Sequence, residues 1–228
     1  KAILFSVSGD ILDSSLDILS KNKIKTSAII TTREKGVNLP DADVLISMCY
    51  PYRISEDILQ KYKYCINFHP APLPEYKGFS VYNFGIYNEE KTWGATAHHM
   101  DKNFDTGDII KVERFEIKDP PSETVSSLRY KSRQITLVLL DEILRNLKQG
   151  KDLPRLKNKG GTNYTKGMFE KLRKVKPSMS PGEVLKRVRA CHFPPYKGAF
   201  IEFGSDKFYL SAHDQDTCQK RGICYRCN

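Results

Sequence analysis

The segment 66–78, INFHPAPLPEYKG, brings an amide and an imidazole together at the end of a predicted strand. Side chains alternate faces along a strand, so Asn67 and His69 are expected on the same face. Pro70 should end the strand, because proline cannot donate to a sheet ladder. A second polar loop, KNFDTG, carries Asp105. A carboxylate beside an imidazole fixes its tautomer and raises its basicity, which predicts a functional pairing.

These residue types suit the transfer of an acyl group to an amine. Such a reaction needs a donor for the developing oxyanion and a group that manages the amine's protons. Asn67 can supply the donor, and His69 can supply a second donor or the base. Asp105 can orient His69 and balance its charge. The alternative for Asn-x-His alone is that Asn67 caps a turn and His69 is an ordinary surface histidine.

Alternating strands and helices are predicted to position these side chains. In the first part of the chain, strands are predicted over 2–7, 25–31, 43–48 and 64–68, and helices over 12–21 and 55–62. This alternation predicts an α/β fold with a mostly parallel sheet and helices on both faces. In such sheets, ligands bind at the carboxyl ends of the strands, where the Asn-x-His pair lies.

The pattern changes in the second half of the chain. Strands are predicted over 94–100 and 108–117, helices over 122–147 and 180–190, a polar linker over 150–167, and a β-hairpin from residue 196 onward. We therefore predict a catalytic domain over residues 1–150. Residues 151–228 are predicted to form a linker and a small C-terminal helix/β-hairpin subdomain.

Composition limits the classes of protein that this chain can belong to. The chain has 228 residues and a net charge of +10, which favours anionic partners or reflects a lysine-rich surface. No apolar run approaches the roughly 20 residues that span a membrane. The N-terminal residues have the pattern of a core strand and not of a signal peptide. We therefore expect a cytoplasmic enzyme without a membrane partner.

The six cysteines leave one question open. Cys49 and Cys65 lie in strand-like segments and are expected to be reduced thiols. The last three, with His213 nearby, have a spacing that is weakly typical of zinc ligands: Cys218, Cys224 and Cys227. The alternative is a thiol-bearing tail, which we favour because no second C-x2-C pair exists. No metal site is therefore predicted.

Two segments together resemble the folate-dependent formyltransferase family. They are NFHPAPLPEYKG and GATAHHMDKNFDTGDII, and the resemblance extends over roughly residues 1–150. It implies a Rossmann-like catalytic domain and 10-formyltetrahydrofolate as the formyl donor. It also implies a catalytic triad at Asn67, His69 and Asp105.

The resemblance further implies where folate binds. The corresponding positions lie in CYPYRIS and DKNF and are Tyr52, Arg53, Ile54, Asp101, Lys102, Asn103 and Phe104. In the family, much of the contact with the pterin is made by backbone atoms.

The family's branches differ in the acceptor amine. Where the glycinamide ribonucleotide enzymes carry a glycine-rich phosphate loop, this chain has VSGDILDSS, and Asp10 would repel a phosphate. Methionyl-tRNA formyltransferases carry a larger tRNA-binding C-terminal domain than the segment after Gly150 provides. The branch acting on nucleotide-linked amino sugars fits best, on KGFSVYNFGIYNEEKTWGATAHHMD and RVRACHFPPYKGAFIEF.

The expected acceptor is a dTDP-, UDP- or GDP-linked 3-amino or 4-amino dideoxyhexose, made for surface glycans such as O-antigen. Tyr76 is expected to stack on its base or sugar and Lys77 to face its diphosphate, unless they are a structural tyrosine and a solvated lysine. No nucleic acid partner is expected, and the strand pair over 94–117 can join two subunits into a homodimer.

Other functions remain open at this point. One is a methionyl-tRNA formyltransferase-like enzyme. A second is a non-catalytic relative that keeps the fold and binds nucleotide or RNA, since a fold does not fix a function. A third is a hydrolase that releases formate from the same folate without an acceptor.

Overall fold

The computed structural model describes residues 1–33 and 38–211 of the chain. The four residues behind the weak zinc signal, His213, Cys218, Cys224 and Cys227, lie outside the described residues. Within the described part, no helix is both long enough and apolar enough to cross a membrane.

The secondary structure follows the predicted alternation. In chain order the elements are β1 (Ala2–Ser6), α1 (Asp10–Lys21), β2 (Thr26–Ile30), β3 (Val44–Met48), α2 (Glu56–Leu59), β4 (Tyr64–His69), β5 (Tyr76–Gly78), α3 (Val81–Tyr87), β6 (Thr92–His99), β7 (Ile109–Glu116), α4 (Val125–Lys148), β8 (Thr162–Tyr164), α5 (Lys166–Arg173), β9 (Lys174–Val175), α6 (Pro181–Cys191), β10 (Phe200–Phe203) and β11 (Asp206–Tyr209).

The central sheet has six strands in the order β2-β1-β3-β4-β6-β7. β2, β1, β3 and β4 are parallel to one another, whereas β6 and β7 are antiparallel to their neighbours. Every residue of β1 and β3 is buried, which explains why their sequences are apolar runs without alternation. The predicted α/β fold with a mostly parallel sheet is confirmed.

The two faces of the sheet are covered differently. On one face, Ile46 and Phe68 belong to a core cluster with Leu139 and Leu140 of α4, and α1 packs beside α4. On the other face, Ile3, Phe5 and Leu45 form a cluster with Tyr50 and Ile54, which follow β3. The carboxyl ends of β3 and β4 thus lie between α4 on one side and the loop after β3 on the other.

The C-terminal part contains the predicted helix α6 and the predicted hairpin β10–β11. The hairpin pairs with β9 in a small sheet of three strands. α6 packs on α3, and Val188 and Ala199 share one hydrophobic cluster with Phe84 and Trp93. The residues after 150 therefore contact the part of the chain that carries the Asn-x-His strand.

The polar segment over 150–167, expected as a linker, lies along the central sheet. Leu156 exchanges two backbone hydrogen bonds with Ile109 of β7, and β8 pairs in parallel with β5. This segment thereby reaches the loop that carries Asp105.

Candidate active site

A cavity of about 790 Å³ opens at the carboxyl ends of β3 and β4. Its wall includes the whole predicted triad and all of the predicted folate residues: Asn67, His69, Asp105, Tyr52, Arg53, Ile54, Asp101, Lys102, Asn103 and Phe104. Three separate stretches of the sequence therefore meet at one edge of the sheet, as the parallel topology predicts.

Asp105 lies at the centre of the polar contacts in this cavity. Its Oδ1 is 3.3 Å from Nδ1 of His69 and 3.4 Å from Nδ2 of Asn67. Its Oδ2 accepts a hydrogen bond of 2.9 Å from the backbone N–H of Gly78. Burial favours the neutral acid, but the charge of protonated His69 and the Gly78 N–H outweigh it and hold the pKa of Asp105 below its ordinary value. Asp105 is therefore a buried carboxylate at neutral pH.

The turn that carries Asp105 requires a glycine two residues later. Asp105 has a left-handed backbone with φ of 55°, and a side chain at Gly107 would bring its Cβ to 1.8 Å from the carbonyl oxygen of His99. Asp101 shapes the loop before it, since its carboxylate accepts from the Asn103 N–H at 2.9 Å and from Thr106 Oγ1 at 2.6 Å. The D-T-G sequence is thus explained by local packing.

Both ring nitrogens of His69 face acceptors. Nε2 is 2.8 Å from the carbonyl oxygen of Tyr76, which can only accept, so Nε2 carries a proton. In the neutral ring the lone pair is then on Nδ1, facing Asp105. A proton taken up by His69 would therefore be held between Nδ1 and the carboxylate.

The protonation of His69 gives a first prediction. Burial lowers the pKa of His69, while the Asp105 carboxylate opposes this shift. We expect its imidazole to titrate below the ordinary value of 6.5, and lower still in Asp105→Asn, which lacks the opposing charge. NMR titration of the ring nitrogens measures both values. A pKa above the ordinary value, or an upward shift in Asp105→Asn, would contradict the assignment.

His98 is a member of this cluster that sequence reasoning missed. Antiparallel pairing of β4 with β6 places it opposite Asn67, and its Nε2 is 3.0 Å from Asn67 Nδ2 and 3.6 Å from Asp105 Oδ1. Its Nδ1 is 2.8 Å from the carbonyl oxygen of His99, so Nδ1 donates and Nε2 of the neutral ring accepts. The register of the two strands, if predicted, would have identified it.

The amide of Asn67 is oriented by these neighbours. Nδ2 donates toward His98 Nε2 and toward Asp105 Oδ1. Among the described residues its Oδ1 has no hydrogen-bond partner, and Asn67 lines the cavity. Nδ2 can therefore donate to an oxyanion, as predicted, only if the substrate replaces one of these two hydrogen bonds. The bond to Asp105 is the longer and therefore the weaker of the two.

Tyr76 and Lys77, predicted to contact the acceptor, have side chains outside the cavity wall. The Tyr76 ring is buried beside Trp93, and its hydroxyl donates to Glu90 Oε1 at 2.6 Å. The buried Lys77 ammonium donates to the carbonyl oxygen of Gly160 at 3.0 Å. Burial and these partners leave neither side chain free for a substrate. Their strand, β5, instead supports the site through the backbone of residues 76 and 78.

Asn158 connects the segment after α4 to the Asp105 turn. Its Nδ2 donates to the carbonyl oxygens of Asp105 at 2.9 Å and of Gly107 at 3.0 Å. The Lys77 ammonium, 3.4 Å from the Asn158 carbonyl oxygen, ties this segment to β5. One amide therefore bridges both ends of the left-handed turn.

Removing that amide should reduce catalysis without removing any group from the cavity. We expect Asn158→Ala to lower kcat by about 10-fold or more, because small misplacements of catalytic groups are costly. Asn158→Asp should be at least as impaired, since a carboxylate would face two carbonyl oxygens. Steady-state kinetics measure both, with Lys159→Ala, an exposed neighbour, as the control. Wild-type turnover in Asn158→Asp would show that the bridge is not needed.

The cavity wall beyond the triad suits a flat aromatic ligand such as the pterin of folate. The ring of Tyr50 and the side chain of Ile54 are buried, and Met100 packs with them in one hydrophobic cluster. The ring of Tyr52 is 5.3 Å from that of Tyr50, and Phe104, which also lines the cavity, is 49% exposed. This apolar wall lies directly beside Asn67 and Asp105.

Within residues 1–33 and 38–211, no group of three or more His, Cys, Asp or Glu side chains has an arrangement that could hold a metal ion.

Comparison with known proteins identifies the family. A model described as formyl transferase matches residues 33–142. The GDP-perosamine N-formyltransferase of Brucella melitensis is 30% identical over 191 residues, which are 83% of this chain and 72% of that protein. This chain belongs to the formyl transferase family. The resemblance predicted from the two motifs is confirmed.

Solved structures agree with the observed fold. A 4-N formyltransferase from Francisella tularensis has a TM-score of 0.78 at 19% identity, covering 93% of this chain and 97% of that one. The N-formyltransferase of Helicobacter canadensis, in complex with folinic acid and dTDP-3-aminofucose, has a TM-score of 0.70 at 18% identity, covering 90% and 85%. The formyltransferase fold therefore extends over most of this chain.

Proposed function

We propose that this formyltransferase transfers the formyl group of 10-formyltetrahydrofolate to the amino group of a nucleotide-linked amino deoxysugar. The observation that supports it most directly is the contact of Asp105 with both Asn67 and His69, beside the apolar wall of one cavity. That arrangement combines a proton acceptor with a polar amide at the place where an acyl carbon and an amine can meet.

The nature of the acceptor rests on the relatives. The Brucella melitensis protein acts on GDP-perosamine, and the Helicobacter canadensis protein binds dTDP-3-aminofucose. Both ligands are nucleoside diphosphates joined to an amino sugar. A GDP-linked 4-amino sugar is the first candidate because the more similar of the two relatives uses one.

The donor supplies a formyl group bonded to a folate nitrogen. The residues of this chain deprotonate and align the amine that accepts this group. A free amino sugar is largely ammonium at neutral pH, and only the neutral amine has a lone pair for attack. Asp105 and Nδ1 of His69 are placed to share that proton, directly or through water. The same proton can then pass to the folate nitrogen as its bond to the formyl carbon breaks, so that tetrahydrofolate leaves neutral at that atom. Asn67 lies close enough to align the amine or to donate to the formyl oxygen.

The proposal is tested with a panel of GDP-, dTDP- and UDP-linked 3-amino and 4-amino sugars, incubated with 10-formyltetrahydrofolate. Mass spectrometry should show one acceptor class gaining a single formyl group, with one tetrahydrofolate formed per product. Formate appearing at the same rate without any acceptor would indicate a hydrolase. Formylation of methionyl-tRNA in place of every sugar would indicate the tRNA branch.

We also propose that the enzyme works in the cytoplasm, where reduced folates and nucleotide sugars are present, and that its product is used for surface glycans such as O-antigen.

A homodimer remains part of the proposal. β7 is an edge strand of the central sheet, but it carries Lys111, Glu113 and Arg114, charges that disfavour edge-to-edge pairing. Light scattering of the purified protein would measure the oligomeric state.

A further inference from the structure

The cavity wall contains one basic side chain that neither the triad nor the predicted folate loops account for. Three Lys or Arg residues of the described chain line the cavity: Arg53, Lys102 and Arg133. Arg53 and Lys102 are exposed and belong to the loops assigned to folate. Arg133 is half-buried and comes from α4.

Arg133 and the apolar folate wall stand on opposite faces of the sheet. α4 packs on the face formed by Ile46 and Phe68, whereas Tyr50 and Ile54 belong to the cluster on the other face. Along β4, Asn67 and His69 alternate with Phe68 and so project from the second face, at the carboxyl end of the strand. A ligand beside Arg133 would therefore reach the triad across the carboxyl end of the sheet, from the side opposite to the folate wall.

The charge of Arg133 is not neutralised by the protein. No ion pair joins it to a carboxylate within residues 1–33 and 38–211, and its buried Nε has no hydrogen-bond partner. Its guanidinium contacts Tyr82 and Cys49, and burial raises the pKa of both groups, so they are neutral at pH 7. Arg129, one turn earlier, adds a second positive charge near the same two side chains. A partly buried cation with an unused donor is unfavourable unless an anion completes it.

We propose that Arg133 binds the diphosphate of the nucleotide-linked acceptor, at a subsite formed with Tyr82 and Cys49 on the α4 side of the cavity. The planar guanidinium matches phosphate oxygens through two parallel hydrogen bonds, and a diphosphate supplies the missing negative charge. Lys77, the cation that the sequence offered for this task, is already bound to backbone oxygens. This inference rests on the proposed function and gives it a residue that selects phosphorylated acceptors.

The test measures binding of GDP, dTDP and UDP, which contain the diphosphate but no amine, to the full chain by calorimetry. Arg133→Met should weaken binding of the nucleoside diphosphate that the wild type prefers by about 10-fold or more. Arg133→Lys, which keeps the charge and loses the fork, should be intermediate. The corresponding unphosphorylated nucleoside should bind the wild type and Arg133→Met equally.

Two further variants separate the alternatives. Arg145→Met, an exposed residue of α4 paired with Asp141, is the matched control and should bind like the wild type. Arg53→Met should raise the KM for the folate and leave nucleoside diphosphate binding unchanged. The thermal midpoint and folate affinity of Arg133→Met report whether it is folded.

The outcomes distinguish this inference from the proposed function. Unchanged diphosphate binding in a folded Arg133→Met overturns the subsite, even if the enzyme formylates an amino sugar. If Arg133→Met loses diphosphate binding but the wild type formylates no amino sugar, the subsite is supported and the proposed function is overturned. If Arg133→Met is unfolded, Arg133→Lys decides, since wild-type diphosphate binding by that variant would contradict bidentate recognition.

Discussion

His69→Asn and Asp105→Asn should each lower kcat for formyl transfer by about 100-fold or more, the scale expected when an acid–base group is removed. Asparagine at position 69 cannot hold a proton at neutral pH. Asparagine at position 105 keeps the shape of the side chain but removes the charge that faces His69 Nδ1 at 3.3 Å. Single-turnover rates with both substrates saturating measure the loss at the chemical step.

The matched controls are His192→Asn and Asp152→Asn, which make the same chemical changes at exposed positions. Both controls should turn over like the wild type. Thermal unfolding should show that His69→Asn and Asp105→Asn remain folded, since both residues lie at a cavity wall and not within the main hydrophobic clusters. Near wild-type turnover in either triad variant would mean that the triad is wrongly assigned.

The parallel half of the fold could be predicted from local patterns because its signals are strong. The apolar runs of β1 and β3 are fully buried in the structure.

The start of α4 was predicted three residues early, because Thr124 and not Ser122 is the cap: its side chain and that of Ser127 form a capping box. α2 is a single turn, shorter than the helix predicted over 55–62.

α3 was missed because its sequence lacks a polar face. VYNFGIY contains a glycine, a β-branched residue and aromatics, which are poor helix formers in isolation. Packing overrides this weak propensity, since a Cβ at Gly85 would lie 2.4 Å from the Trp93 ring. Gly85 allows the Trp93 ring to pack closely against the helix, and this contact is visible only in the tertiary structure.

The candidate site was predictable to the extent that one strand and one loop carry it. Asn67, His69 and Asp105 could be found from residue types, strand alternation and the family resemblance. His98 depends on the register between β4 and β6, and Asn158 depends on a segment whose composition is typical of a linker. Tyr76 and Lys77 follow the Asn-x-His motif in sequence, but β5 turns their side chains toward Glu90 and Gly160. Closeness to the motif in the sequence therefore did not place these two side chains in the cavity.

Asn67→Ala is expected to slow the chemical step by about 100- to 1000-fold, the range seen when one oxyanion donor is removed. The truncation leaves His98 Nε2 and Asp105 Oδ1 without the amide that now lies 3.0 Å and 3.4 Å from them. It also removes the Asn67 Oδ1, the one atom of this amide without a partner in the described structure, which could receive a hydrogen bond from the acceptor amine. Either use of the amide acts at the reacting atoms, so the single-turnover rate should fall in both cases.

Binding should respond differently from chemistry in this variant. The apolar wall around Tyr50 and Ile54 is unchanged in Asn67→Ala, so the dissociation constant for 10-formyltetrahydrofolate should stay within about 3-fold of wild type, less than 1 kcal/mol. Asn146→Ala, an equivalent truncation near the end of α4, serves as the control for handling and folding. Fluorescence titration gives the dissociation constant, and rapid quench gives the rate at saturation. If Asn67→Ala loses folate binding but reacts at the wild-type rate once saturated, Asn67 is a binding residue, and its role at the formyl oxygen or the amine is wrong.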